Sequence, residues 1–168
     1  SACSLAAVTV QGDAVVREGY SLIRPPYTVF APENVEIHGI TPDQIRNKPK
    51  FDVLWPKVWD HLKGHIIVAH YAVFDTRVLK SVLKAYHLDV PPLSYACTVE
   101  ISRRVWPDLP NHKLDTVAGF LGYSFHHYHA LDDARARAHI VRKAANQVGA
   151  TSMEDLLDTI GLSLKTLG

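Results

Sequence analysis

Ile66-Ile67-Val68-Ala69-His70-Tyr71-Ala72-Val73-Phe74-Asp75 joins two kinds of structure without a linker. Residues 66–69 form a short continuous apolar run bounded by Gly64 and His70, the pattern of a strand buried on both faces in a parallel sheet. From Phe74 onward, Val78, Leu79, Val82 and Leu83 share one helical stripe, and Pro91-Pro92 ends the unit. A strand running directly into a helix sets Asp75 in the first helical turn. There, unpaired backbone amides favour a carboxylate and the strand ends open a cleft.

Outward from this unit, residues 4–10 are rich in small and β-branched side chains and end at the turn signal Gln11-Gly12-Asp13. Residues 14–23 resume as apolar, which predicts a β-hairpin, and Pro25-Pro26 stops its second strand because proline cannot donate to a ladder. Thr41 is the predicted N-cap of a short helix over 42–47, with Pro42 at the first helical position. Phe51, Leu54, Val58 and Leu62 predict an amphipathic helix closed by Gly64. Further on, a strand is predicted over 95–98 and helices over 99–105, 114–121, 130–148 and 153–160, with Gly122 and Gly149 as C-terminal punctuation. Strands first and alternating strand and helix afterwards define an α/β domain with a mixed sheet. Residues 1–150 read as one domain and 151–168 as a C-terminal helical appendage.

With 168 residues, 47% of them hydrophobic, the chain suffices for one domain with a substantial core. Eighteen Lys and Arg against 17 Asp and Glu leave a formal net charge of +1, so no global field draws the chain to nucleic acid or a membrane. Bound divalent cations can manage phosphate charge locally, so this balance does not exclude a nucleic-acid enzyme. Cys3 and Cys97 form no close-spaced metal pair or disulfide framework and read as buried thiols of a reducing compartment. No apolar run reaches the roughly 18 residues of a membrane span. A cytoplasmic location without membrane association is the expectation.

A second cluster, His126-His127-Tyr128-His129, precedes Ala130-Leu131-Asp132-Asp133-Ala134-Arg135. Consecutive histidines cannot all point at one ion and no cysteine lies nearby, which argues against zinc. Asp132 and Asp133 are about 100° apart on a helix, so only one of them faces a given site. Arg103-Arg104, and Arg135 with Arg137, are basic pairs that either frame a channel for a strand or occupy a solvated face.

Together with residues 68–75, this cluster resembles two of the metal-binding motifs of the DEDD-type 3′-to-5′ exonucleases. The nearest branch is the DEDDh-like one, similar to the DNA polymerase III epsilon proofreading subunit and the RNase T superfamily. The resemblance implies an α/β fold of ribonuclease H-like type, a mixed β-sheet flanked by helices. It implies that Asp75 and Asp133 ligate Mg2+ or Mn2+ in a two-metal site and that Phe74 packs near the terminal nucleotide. Tyr71 stands where the family usually has asparagine. Ile37-His38-Gly39-Ile40-Thr41 resembles the loop that lies against that nucleotide, which nominates Ile37 and His38 as substrate-binding residues. Pro110-Asn111-His112-Lys113-Leu114-Asp115-Thr116-Val117 resembles the segment before the third motif, with Lys113 available to phosphate.

The family's general base is a histidine five residues before the motif aspartate, and Tyr128 holds that position relative to Asp133. A sister branch uses tyrosine at a shorter spacing, which falls on His129, while His127 with Asp132 restores the histidine pattern in another register. A neutral imidazole with a pKa near ~6.5 suits proton abstraction at neutral pH, whereas a phenol near ~10 stays mostly protonated. Tyr128, His129 and His127 remain open candidates.

The family's first motif, Asp-x-Glu on a central strand, has no counterpart here, and neither Asp13 nor Glu18 stands in that arrangement. In that fold the strand lies between the hairpin and the strand before Asp75, and its loss would leave buried backbone groups unpaired. The expectation is that the natural protein extends upstream of Ser1 and supplies it. The function expected from the resemblance is metal-dependent hydrolysis at the 3′ end of single-stranded nucleic acid, DNA in preference to RNA, in association with a DNA polymerase subunit. The alternative is a catalytically deficient module that binds a nucleic-acid end or a protein partner.

Overall fold

The hairpin forms where the turn residues place it, with Gly12 at φ 62, a conformation glycine adopts without a Cβ penalty. In the computed structural model, which describes residues 3–25, 36, 39–126 and 129–167, strands β1 (Ser4–Gln11) and β2 (Ala14–Leu22) pair antiparallel. Their register runs from Ser4 opposite Leu22 to Gln11 opposite Ala14, with an irregularity between Thr9 and Val10. Helix α1 (Pro42–Ile45) starts in a capping box: the Gln44 amide donates to Thr41 Oγ1 at 3.4 Å and the Thr41 amide to Gln44 Oε1 at 2.9 Å. It is shorter than the predicted 42–47. Helix α2 (Phe51–Leu62) matches its predicted stripe and seats Phe51 against Ile23 of the hairpin and Leu83.

β3 (Ile67–Ala69) feeds helix α3 (Ala72–Ala85), and the chain returns through β4 (Leu93–Cys97), which pairs parallel with β3. Helix α4 (Thr98–Val105) begins at once, so Thr98, predicted as the last strand residue, is the first helical one. Helices α5 (Leu114–Phe120), α6 (Ala130–Val148) and α7 (Met153–Ile160) follow. A last strand, β5 (Lys165–Leu167), pairs antiparallel with β4. It escaped prediction because three residues are too short to show a period. The described strands thus form two sheets, β1-β2 and the mixed β3-β4-β5. Residues 66–69 were expected to be buried on both faces, yet Ile67 and Val68 are only half-buried. Among the described residues β3 has a neighbour, β4, on one side only.

Helix α6 bridges the two sheets, packing on β1 and β2 as well as β3. Its inner stripe carries Ala136, Ile140 and Ala144, all fully buried, in a core shared with Ile101, Val117, Leu156 and Leu157. The segment after residue 150, expected as an appendage, therefore packs into the main core through α7 and into the sheet through β5. On its outer flank α6 holds the hairpin by ion pairs: Arg135 grips Glu18 bidentately at 2.9 and 2.8 Å, and Arg142 reaches Asp13 at 3.2 Å. Such partly exposed pairs add orientation more than stability. No helix among the described residues is long and apolar enough to cross a membrane.

Ile140→Ala should lower the unfolding free energy by about 2–5 kcal/mol, because the surrounding core cannot fully collapse onto the space left. Urea denaturation checks this; a loss below about 1 kcal/mol would contradict the placement of Ile140 in a close-packed core.

Candidate active site

Asp75 is positioned by the residues before it. The His70 side chain is 5% exposed at the end of β3, with Nε2 2.7 Å from the His112 carbonyl and Nδ1 2.7 Å from Thr98 Oγ1. A carbonyl only accepts, so Nε2 carries hydrogen; in the neutral ring Nδ1 then accepts from the Thr98 hydroxyl. His70 thereby ties β3 to the start of α4 and to the loop before α5, whose His112 donates from Nε2 to the Trp106 carbonyl at 2.8 Å. Tyr71 caps α3 in the left-handed region, φ 57 and ψ 55, which turns the chain sharply from strand to helix. A non-glycine residue there is strained, and the buried ring of His70 and buried Ala72 on either side hold it in place.

Asp75, in the first turn of α3, is half-buried beside an apolar hollow formed by Ile67, Leu79, Leu93 and Leu167. Burial pushes its carboxyl above the usual carboxylate range; Arg137 and its own backbone amide pull the other way, and Asp133 raises it further. Asp133 lies in the first turn of α6, its amide donating to the His129 carbonyl at 2.9 Å. Two helix N-termini thus bring these carboxylates within electrostatic reach of each other. Asp132, one residue away, turns instead to Arg135 at 3.4 Å. Arg137 Nη1 stands 4.0 Å from Asp75 Oδ1, and its Nε is buried with no hydrogen-bond partner among the described residues.

The remaining sequence candidates divide. His129 is the exposed N-cap of α6 and stacks on Tyr20 of β2, ring centroids 5.2 Å apart. Tyr128, His127, Ile37 and His38 lie outside the described residues. Phe74 and Tyr71 are 69% and 49% exposed, and with Arg77 and Arg103 they line a hollow of about 350 Å³. Lys113 is exposed at the start of α5. Asp13 and Glu18 are engaged by α6, as described above.

A two-metal centre needs several carboxylates around cations about 3.5–4 Å apart. Among the described residues no group of three or more His, Cys, Asp or Glu side chains gathers to hold an ion. Asp75 and Asp133, with a guanidinium beside one of them, do not complete such a centre. The residue that sequence reasoning missed at the site is Arg137. Its signal was available: it follows Asp133 by one helical turn and so shares its face.

The mixed sheet flanked by helices is an α/β fold of the ribonuclease H-like class. The chain belongs to the RNase T exonuclease family, which it matches over residues 1–141. It is 34% identical over 164 residues to the PolC-type DNA polymerase III of Thermotoga maritima, covering 93% of this chain and 12% of that protein. It is 27% identical over 146 residues to the DNA polymerase III epsilon subunit of Aquifex aeolicus, covering 86% of this chain and 71% of that one. Among solved structures, exonuclease X in complex with 5′ overhanging duplex DNA superposes with a TM-score of 0.76 at 25% identity, covering 95% of this chain and 90% of that one. The chain spans little more than a tenth of the PolC-type relatives it matches.

Because burial raises the Asp75 pKa, the folded protein retains this proton over a pH window in which the unfolded chain has lost it, and stability falls as pH rises through that window. In EDTA, Asp75→Asn should therefore melt higher than wild type at neutral pH, the gap narrowing as pH falls through that window and gone below about 3.9. A melting difference that stays flat between about pH 3 and about pH 7 would contradict this. His70→Leu should cost about 1–3 kcal/mol in guanidinium unfolding, since the Thr98 hydroxyl and the His112 carbonyl lose their ring partner.

Proposed function

We propose that this chain forms part of a metal-dependent 3′-to-5′ exonuclease that shortens the 3′ end of a single DNA strand in the service of a DNA polymerase. The observation that carries the proposal is the approach of Asp75 and Asp133 from two helix N-termini, next to the exposed Tyr71 and Phe74, in a member of the RNase T exonuclease family. Asp75 and Asp133 would contribute ligands to Mg2+ or Mn2+, with the remaining carboxylates supplied from outside these 168 residues. Phe74 and Tyr71 offer aromatic surface on which a terminal base can stack, and Arg77 and Arg103 offer charge to its backbone. One of Tyr128, His129 and His127 would serve as the general base. The polymerase setting is supported by the PolC-type and epsilon-subunit relatives.

A second reading, a module that binds a nucleic-acid end without cutting it, is favoured by one observation. Arg137 presents a fixed positive charge where a catalytic cation would have to sit near Asp75.

Release of label from a 3′-labelled single strand in the presence of Mn2+, by the natural full-length protein and by its Asp75→Asn form, separates the two. The exonuclease reading expects label release that falls by at least about a hundredfold in Asp75→Asn. Release unaffected by that substitution would defeat the proposed site, and binding without any release would establish the second reading.

A further inference from the structure

We propose that Arg137 is a resident counter-cation of this site, competing with a divalent ion for Asp75 and so setting how readily the site loads one. The inference rests on the reading of Asp75 and Asp133 as cation-holding residues and adds a control on their occupancy.

Arg137 does not sit where a solubilising arginine sits. It lies on the stripe of α6 that carries Asp133, Ala136, Ile140 and Ala144, and those last three are fully buried. Its side chain is 27% exposed, and its Nε is sealed from solvent with no acceptor among the described residues. Arg135 and Arg142 of the same helix are engaged elsewhere, by Glu18 and Asp13 of the hairpin. A guanidinium is charged at every working pH, so Arg137 cannot give way by losing a proton; it gives way only by moving.

The geometry suits displacement. At 4.0 Å the Nη1 atom is within ion-pair range of Asp75 Oδ1 but beyond a direct hydrogen bond, so the attraction is Coulombic and carries no directional lock. A divalent ion approaching Asp75 meets this positive charge across a partly dehydrated gap, where like charges repel more strongly than in water. The ion must push the guanidinium aside or remain loosely held.

The test is Mn2+ binding to the full chain, followed by the electron paramagnetic resonance of free Mn2+, in wild type, Arg137→Met, Arg137→Lys and Asp75→Asn. Methionine keeps the bulk and removes the charge, and replacing a buried ion by an apolar side chain of similar volume is usually tolerated. The expected result is Mn2+ binding on the order of tenfold tighter in Arg137→Met, with Arg137→Lys close to wild type. Arg137→Gln gives the same reading if the methionine variant does not fold. Unchanged, weaker or absent Mn2+ binding in a folded charge-free variant would overturn the inference. Should Asp75→Asn leave Mn2+ binding intact, the reading of Asp75 as a cation ligand fails as well. Binding that depends on Asp75 but ignores Arg137 sinks this inference alone.

Discussion

The close seating of α6 is the constraint on which the rest of the molecule depends. Ala136 and Ala144 present nothing beyond a Cβ, so the helix axis approaches the strands and neighbouring helices closely, and Ile140 fills the space between them. One face of α6 then touches β1, β2 and β3, while its flanks pack on α4, α5 and α7. The two sheets share no ladder among the described residues, so the hairpin is held to the parallel strands by helices: by α6 on one side and by the cluster of Ile23, Phe51 and Leu83 on the other. Because Asp133 and Arg137 ride on the same face, the packing of three apolar side chains sets the height of both charges above the strand ends.

Asp75 is fixed by an independent device. The two hydrogen bonds of His70 clamp the end of β3 to segments 28 and 42 residues further along the chain. The left-handed Tyr71 then redirects the backbone within a single residue. A neutral histidine suits this better than a charged one, since its ring offers one donor and one acceptor to a hydroxyl and a carbonyl and leaves no uncompensated charge in the interior. The clamp positions the carboxylate without touching it. This separation lets the acidic group answer to its electrostatic surroundings while the backbone beneath it stays put.

Helices were legible wherever an apolar stripe ran for several turns: α2, α3, α6 and α7 begin and end within about two residues of where periodicity places them. Strands were less so, because β3 and β5 span only three residues each and carry no period to read. The half-buried state of Ile67 and Val68 was beyond sequence reasoning, as it depends on which strand lies next to β3. At the site, Asp75 and Asp133 were visible through their settings, and the Gly12 turn and Thr41 cap through local chemistry. His70 was quoted as part of a motif but its partners are tertiary, and no spacing rule finds Thr98 or the His112 carbonyl. Arg137 was paired with Arg135 as framing a strand channel or occupying a solvated face, yet by helical angle the two point to opposite sides of α6.

Two carboxylates and one guanidinium share the site, with Arg137 Nη1 4.0 Å from Asp75 Oδ1. Burial wins over Arg137 in setting the Asp75 carboxyl, which shows that a guanidinium at 4.0 Å does not fully replace the lost water. Asp133 adds repulsion from the other side. The buried Nε of Arg137 has the converse need, since a donor sealed from solvent gains from an acceptor placed against it. An anionic oxygen placed against that Nε would relieve this deficit.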